Sequence, residues 1–216
     1  MMGRAVGVRN ADYDIRRQSL LDGATDYVLR EEVVSPSLRQ IAIAVGASDP
    51  TIKHYFGTRS EFVGDILKNI GQRCETWRTQ LRQGFPTVRE ALDDFVIMSR
   101  SLPENRMLVQ ANLFALRESL NEPAIFQAYV RYVVEPNIEA LAERLVRSPG
   151  GPKNYATARA AAGMLTSNLS MIALRQIMLG DSDEVAMSVE KRFAFTMNWM
   201  SHGLLNDPDA EKVGAA

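Results

Sequence analysis

Residues that carry catalysis or covalent cross-links are scarce in this chain of 216 residues. Its one cysteine, Cys74, excludes an intramolecular disulfide framework and fits a reducing compartment. Its two histidines, His54 and His202, lie far in sequence from Cys74. No metal-binding, phosphate-loop or nucleophile motif is present. We therefore expect a protein that is not an enzyme and that has no cofactor or metal site.

Long apolar runs and an excess of charge of either sign are also missing. No stretch approaches the roughly 18 apolar residues of a membrane span. The polar opening of the sequence lacks a signal-peptide core, so we expect a cytoplasmic protein with no membrane partner. The formal net charge is −1, and basic residues only slightly outnumber acidic ones in residues 1–82. Charge alone therefore gives little indication of a nucleic-acid partner.

Apolar residues recur instead with the helical period of about 3.6 in nearly every segment, and no alternating strand pattern appears. The pattern predicts an all-α fold of about nine helices. The first three are predicted over about residues 14–31, 37–45 and 48–56. The first has Asp12 or Asp14 as its N-cap, and a long fourth helix runs as far as Leu81. The seventh contains Pro136, which should kink or divide it. The last two are predicted over about residues 154–179 and 183–205.

The second and third predicted helices are short and are separated by a glycine. Apolar side chains of the two can pack together: Ile41, Ala42, Val45, Ile52 and Phe56. Gly46 tolerates the left-handed backbone that ends the second helix. Ser48 can cap the third helix, and Pro50 fits its first turn. This arrangement predicts a helix-turn-helix over residues 36–59, whose second helix can enter the major groove of DNA.

The outward face of this helix pair offers groups that bind DNA. The hydroxyls of Thr51 and Tyr55 can bond phosphate oxygens, and Lys53 supplies a positive charge. The helix N-termini at Ser37 and Ser48 present free amides and positive dipole ends, which suit phosphate. The predicted DNA-binding residues are Ser37, Arg39, Ser48, Asp49, Pro50, Thr51, Lys53, His54, Tyr55 and Arg59.

At these residues the sequence resembles the TetR family of repressors. The family pattern is an Ile-Ala pair, an Ala-Gly turn, Ser-x-x-Thr-Leu-Tyr-x-x-Phe and, after a short loop, Lys-Glu-x-Leu. The matching stretches are Ile41-Ala42, Val45-Gly46, Ser48–Phe56 and Thr58–Phe62, within a resemblance that covers roughly residues 15–70. The resemblance implies a two-fold dimer, with a DNA-binding domain in residues 1–59 and a helical effector-binding and dimerisation domain in residues 60–216.

Two positions depart from the family pattern. Lys53 stands where the family usually has a phosphate-contacting Tyr, and Arg59 stands where it usually has Lys. Both residues keep a group that binds phosphate. Whether Lys53 contacts a phosphate or a guanine edge stays open. Asp49 also has two interpretations, because it can stabilise the helix dipole or accept a hydrogen bond from a cytosine amine.

The C-terminal part favours self-association and a ligand pocket. Small residues in the eighth helix and a four-residue apolar spacing in the ninth predict a homodimer through the last two helices. Alternatively, these stripes face the protein's own core. Methionines and a few polar side chains suit an apolar pocket for a small molecule. The candidate effector-binding residues are Met98, Met107, Asn112, Phe114, Asn168, Met171 and Arg175.

These features predict a homodimeric, ligand-responsive DNA-binding transcriptional regulator. We expect a repressor that a small-molecule effector of unknown identity releases from a palindromic double-stranded DNA operator. Two alternatives remain. One is an all-helical small-molecule-binding protein or enzyme with an incidental helix-turn-helix, and the other is a helical scaffold that binds another protein.

Overall fold

The computed structural model describes residues 6–30, 32–33, 36–101, 103–120 and 122–179, together with residues 195 and 198. Every element in these ranges is helical and none is a strand, which confirms the predicted all-α class. The helices are α1 (Val6–Val28), α2 (Leu38–Ala44), α3 (Asp49–Phe56), α4 (Arg59–Arg73), α5 (Glu75–Leu81), α6 (Val88–Ser101), α7 (Pro103–Ser119), α8 (Pro123–Tyr129), α9 (Glu135–Arg147) and α10 (Tyr155–Leu179). None of these helices is long and apolar enough to cross a membrane. Apart from residues 195 and 198, the predicted ninth helix lies outside the described residues.

The first helix differs from its prediction at both ends. It begins at Val6 and ends at Val28, so Asp12 and Asp14 lie inside it and the predicted N-cap was wrong. Residues 6–13 contain no proline, and nothing in them interrupts a helix that continues from Asp14 towards the N-terminus. After Val28 the chain leaves the helix in a turn in which the amide of Arg30 donates to the carbonyl of Tyr27 at 3.2 Å.

The predicted fourth and seventh helices are each divided. The predicted fourth helix breaks at Cys74, whose ψ of −6° departs from the helical value of roughly −42°. The predicted seventh helix is divided, as expected from Pro136, and the division is a π-helical turn over Val130–Val134. Pro136 is the second residue of α9, so its missing amide comes directly after the π-helical turn.

Packing divides the described chain into two compact units. The first runs to Arg73 and includes Gln110–Val133, and the second comprises Cys74–Val109 and continues from Val134. The break at Cys74 coincides with this division, because α4 packs against helices of the first unit and α5 against α9 of the second. The boundary predicted at residue 59 separates DNA binding from effector binding and dimerisation, not packing units, and it stays a prediction.

In the first unit, α4 packs against α1, α3 and α8. Buried apolar residues of this unit include Leu20, Ala24, Ile41, Ile52, Phe62, Ile66, Ile70 and Ile125. Asn69 brings a polar group into this core, and its amide donates to Thr25 Oγ1 and Asp22 Oδ1, each at 3.0 Å. At Gly71, α4 approaches the π-helical turn so closely that an ideal Cβ would lie 2.2 Å from the carbonyl oxygen of Tyr132.

The second unit is organised around Arg144, which is only 1% exposed. Its Nη1 donates to the carbonyl of Ala91 at 3.2 Å and to the carboxylate of Asp94 at 2.7 Å. Its Nε and Nη2 donate to the carbonyls of Leu81, at 2.7 Å, and Gln80, at 3.1 Å. Burial lowers the pKa of Arg144, and its hydrogen bond to the charged Asp94 opposes that shift. One buried cation thus satisfies the last carbonyls of α5 and joins α5, α6 and α9.

Candidate nucleic-acid interface

The helix α2 begins at a complete capping box. The Ser37 hydroxyl accepts a hydrogen bond from the amide of Gln40 at 3.2 Å, and the Gln40 side-chain oxygen accepts one from the amide of Ser37 at 2.8 Å. This reciprocal pair satisfies two amides that a helix N-terminus otherwise leaves without partners. Ile41 and Ala42 of α2 are buried, whereas Ser37 and Arg39 are exposed.

The turn between α2 and α3 has the conformation predicted from its glycine. Gly46 has a φ of +65°, and the amide of Ala47 donates to the carbonyl of Ala42 at 2.8 Å. A Cβ at Gly46 would meet nothing within 4 Å, so the backbone conformation and not lack of space favours glycine here. Val45 lies only half-buried and faces α1, where an ideal Cβ at Gly23 would be 3.2 Å from Val45 Cγ1.

The helix α3 presents one face to the core and the other to solvent. Ser48 caps it by accepting a hydrogen bond from the amide of Thr51 at 3.3 Å, and its hydroxyl lies 2.8 Å from Thr51 Oγ1. Ile52 and Phe56 are buried. The predicted DNA-binding residues of α3 divide into exposed Pro50, Lys53 and His54 and half-buried Asp49, Thr51 and Tyr55. A charged and polar surface therefore remains available along the whole of this short helix.

Two residues of α1, four apart on one face, hold the C-terminal end of α3. The ring of Tyr13 stacks on that of Tyr55 at 4.7 Å between centroids and meets His54 edge-on at 5.9 Å. Arg17 donates to the carbonyl of Tyr55 at 3.2 Å and forms an ion pair with Asp65 of α4. An arginine at a helix C-terminus satisfies a free carbonyl and complements the helix dipole.

Sequence reasoning did not identify these two α1 residues. Tyr13 lay before the predicted start of the first helix, and the pairing of Arg17 with α3 and α4 joins residues 38 and 48 positions apart. The only available signal was the four-residue spacing of Tyr13 and Arg17, which places them on one helical face.

Arg59, predicted to contact DNA, is engaged within the first unit. It is the first residue of α4, and its Nη2 donates to both carboxylate oxygens of Glu118 on α7, each at 2.8 Å. The same nitrogen donates to the carbonyl of Pro36 at 3.0 Å. Burial raises the pKa of the Glu118 carboxyl, and the positive charge and hydrogen bonds of Arg59 only partly offset this shift. Next to this pair, the Ser60 hydroxyl donates to the Glu122 carboxylate at 2.5 Å.

The candidate effector residues fall in both units, with Asn112 and Phe114 in the first and Met98, Met107, Asn168 and Met171 in the second. Met98 packs against the core of the second unit, and its sulfur lies 3.4 Å from Arg144 Nη2. Phe114 is buried, while Met107 and Asn112 are half-buried. Asn168 and Met171 are exposed on α10. The side chain of Arg175 lies outside the described residues, and the effector site stays a prediction.

The outer face of α10 combines small and apolar residues. The small residues Ala158, Ala161 and Ala162 are buried in the core of the second unit. The exposed residues of α10 include Ala156, Ala160, Met164, Ser167 and Met171. Met164 and Met171 are 65% and 57% exposed.

Within the described part of the chain, no three His, Cys, Asp or Glu side chains are grouped so that they could hold a metal ion.

Comparison with known proteins gives matches at the level of structure only. No family model and no curated protein matches this sequence. A solved structure from Mesorhizobium loti, assigned to the TetR family of transcriptional regulators, is 13% identical and has a TM-score of 0.59, covering 88% of this chain and 96% of that chain. Another with the same assignment, from Rhodococcus sp., is 15% identical with a TM-score of 0.61, covering 86% of this chain and 98% of that chain. The fold expected from the TetR-like motif is confirmed.

Proposed function

We propose that this protein is a DNA-binding transcriptional regulator whose helix α3 enters the major groove. The observation that carries the proposal is the pair α2 and α3, joined at Gly46 and each capped by a serine, with Lys53 and His54 exposed on α3. A helix of this size fits the groove and can reach base edges with its outward side chains. The TetR-family assignment of the two structural neighbours supports the same function.

The polar residues of α3 would divide their work between phosphates and bases. The N-terminus of α3 brings a positive dipole end to the DNA backbone, beside the hydroxyls of Ser48 and Thr51. Lys53 and His54 are exposed on α3, whereas Tyr55 is half-buried, and Lys53 carries a positive charge. Lys53 is therefore the side chain whose removal should most reduce DNA affinity.

Lys53→Ala tests this assignment when DNA binding of the full chain is followed by fluorescence anisotropy as a function of salt. The probes are a duplex from the region upstream of its gene and a duplex of random sequence. If Lys53 contacts phosphate, the variant should bind both probes more weakly, and the slope of log affinity against log salt should flatten by about 0.9 per bound site. A loss limited to one base position, with an unchanged slope, would instead assign Lys53 to base readout.

Lys68→Ala is the matched control, because Lys68 is an exposed lysine on α4 outside the α2–α3 surface. It should leave the slope unchanged. The regulator proposal is rejected if the wild-type protein shows no DNA binding that is both weakened by salt and stronger for the upstream duplex than for the random one. A small-molecule-binding protein or enzyme then becomes the better description.

We also propose that the regulator works as a homodimer. The exposed methionines and alanines on the outer face of α10 are apolar surface that a second copy would cover. Two recognition helices about 34 Å apart would then meet successive major grooves of a palindromic operator. Sedimentation equilibrium of the full chain is expected to give twice the mass of 24.1 kDa, and a monomer at micromolar concentration would contradict the proposal.

Ligand response and repression complete the proposal, with the cytoplasm as the compartment. A small molecule that binds one of two conformations would shift the dimer away from the spacing that fits DNA, and a bias of a few kcal/mol suffices. Screening metabolites for thermal stabilisation is the direct test, since a ligand at about 100 times its dissociation constant adds about 2.7 kcal/mol. A stabilising compound that leaves DNA affinity unchanged would argue against an effector role for that compound.

A further inference from the structure

The ion pair between Arg59 and Glu118 joins three segments of the first unit. Arg59 begins α4 directly after the loop that follows α3, and Glu118 lies in the last turn of α7. Through the Pro36 carbonyl the same guanidinium also holds the segment that precedes α2. The arginine next to the candidate DNA-binding helices is thus committed to internal acceptors.

The two members of the pair differ in their access to solvent. The Glu118 side chain is 5% exposed, whereas the Arg59 side chain is 37% exposed. A carboxylate offers a guanidinium the same kind of anionic oxygens as a DNA phosphate. Since only the Arg59 side chain is partly exposed, an external anion can approach the pair only along that side chain.

The geometry of the pair also leaves part of the arginine's bonding capacity unused. All the hydrogen bonds to Glu118 come from Nη2, instead of the two-nitrogen fork that guanidinium and carboxylate groups favour. The other terminal nitrogen, Nη1, is buried and has no hydrogen-bond partner among the described residues. Once the bond to Glu118 opens, a phosphate that engages both terminal nitrogens would recover a hydrogen bond that the internal pair does not make.

We propose that Glu118 is an internal competitor for Arg59, so that Arg59 contacts a DNA phosphate only when its bond to Glu118 opens. The inference rests on the proposed DNA-binding function and concerns the control of that same surface. Glu118 then keeps the affinity for DNA lower than it would be if Arg59 were free to contact phosphate. The pair accounts for the arginine that follows α3 being turned towards the protein.

Glu118→Gln in the full chain tests this competition, with a fluorescein-labelled duplex of random sequence as the probe. Glutamine keeps the shape but removes the charge that holds Arg59. The variant should bind more tightly than wild type at about 50 mM salt, with a salt slope steeper by about 0.9. One added phosphate contact of this slope means that the advantage of the variant shrinks about 3.5-fold between about 50 and 200 mM salt.

Two further variants separate competition from a general charge effect. Glu122→Gln removes a negative charge close by, on the partner of Ser60, and should leave the slope unchanged. Arg59→Ala should also leave the wild-type slope unchanged, but on the Glu118→Gln background it should remove the added unit. Circular dichroism confirms that each variant is folded.

Several outcomes would overturn the inference. An unchanged slope in folded Glu118→Gln would do so, as would a slope reduced by about 0.9 in Arg59→Ala alone, since Arg59 would then already contact DNA. The second result decides the matter even if Glu118→Gln fails to fold. Wild-type protein that does not bind duplex DNA at all would instead refute the proposed function, so the two failures are distinguishable.

Discussion

Replacing Gly71 with alanine tests how closely α4 must approach the π-helical turn at Val130–Val134. An added Cβ would lie 2.2 Å from the carbonyl oxygen of Tyr132 and 3.1 Å from its carbonyl carbon, whereas ordinary contacts begin at 3.4 Å. The two backbones would therefore have to separate by roughly 1.2 Å, the difference between 3.4 and 2.2 Å. The obstacle is main chain and not a flexible side chain, so rotamer changes cannot relieve it.

The expected cost follows from two opposing effects. Overpacking a close-packed interior costs about 1–3 kcal/mol, and replacing glycine by alanine inside a helix returns about 0.5–1 kcal/mol. From the middle of each range, we expect Gly71→Ala to lower the free energy of unfolding by about 1 kcal/mol. For a chain of this length, that loss corresponds to a Tm lower by about 2–5 °C. Differential scanning calorimetry measures the change.

Gly64 supplies the matched control on the same helix. A Cβ at Gly64 would meet nothing within 4 Å, so Gly64→Ala should raise the Tm by about 1–4 °C through helix propensity alone. If Gly71→Ala proves as stable as Gly64→Ala, the close approach of α4 to Tyr132 does not occur in solution and the reasoning is refuted.

Two other measurements test buried charges. Arg144→Lys should lower the free energy of unfolding by about 2–4 kcal/mol, because one ammonium group cannot reach all four acceptors of Arg144. Thermal unfolding measures this loss. Arg147→Lys, on the exposed side of α9, is the control and should show no such loss. The raised pKa of Glu118 means that its contribution to stability is full below its ordinary pKa of 4.5 and is lost as the pH rises through the raised value. The Tm of wild type relative to Glu118→Gln should therefore fall as the pH rises above 4.5, and a rise would contradict the assignment.

The helix-turn-helix could be predicted almost entirely from local signals. Ser37 and Ser48 cap their helices, and Gly46 adopts a positive φ, as their residue types indicate. The buried positions Ile52 and Phe56 follow the helical period. These features depend on residues within about four positions of each other, so spacing and residue type suffice to predict them.

The contacts that hold α3 in place could not be predicted in this way. Tyr13 and Arg17 act on α3 across about forty residues, and Glu118 meets Arg59 across 59. From sequence alone, an arginine after a helix-turn-helix can be predicted either to contact phosphate or to form an internal ion pair. Only the position of α7 decides between these two roles, because the carboxylate that pairs with Arg59 comes from a distant segment.

The division of long helices shows the same limit. The missing amide of Pro136 predicted a break in its helix. The break is a π-helical turn, and Gly71 of α4 lies close to that turn at Tyr132. The sequence by itself determined the helical class, the helix-turn-helix and its capping, since these depend on periodicity and near neighbours. Tertiary structure alone decided where α4 ends and which acceptor holds Arg59, because those outcomes depend on packing between segments far apart in the chain.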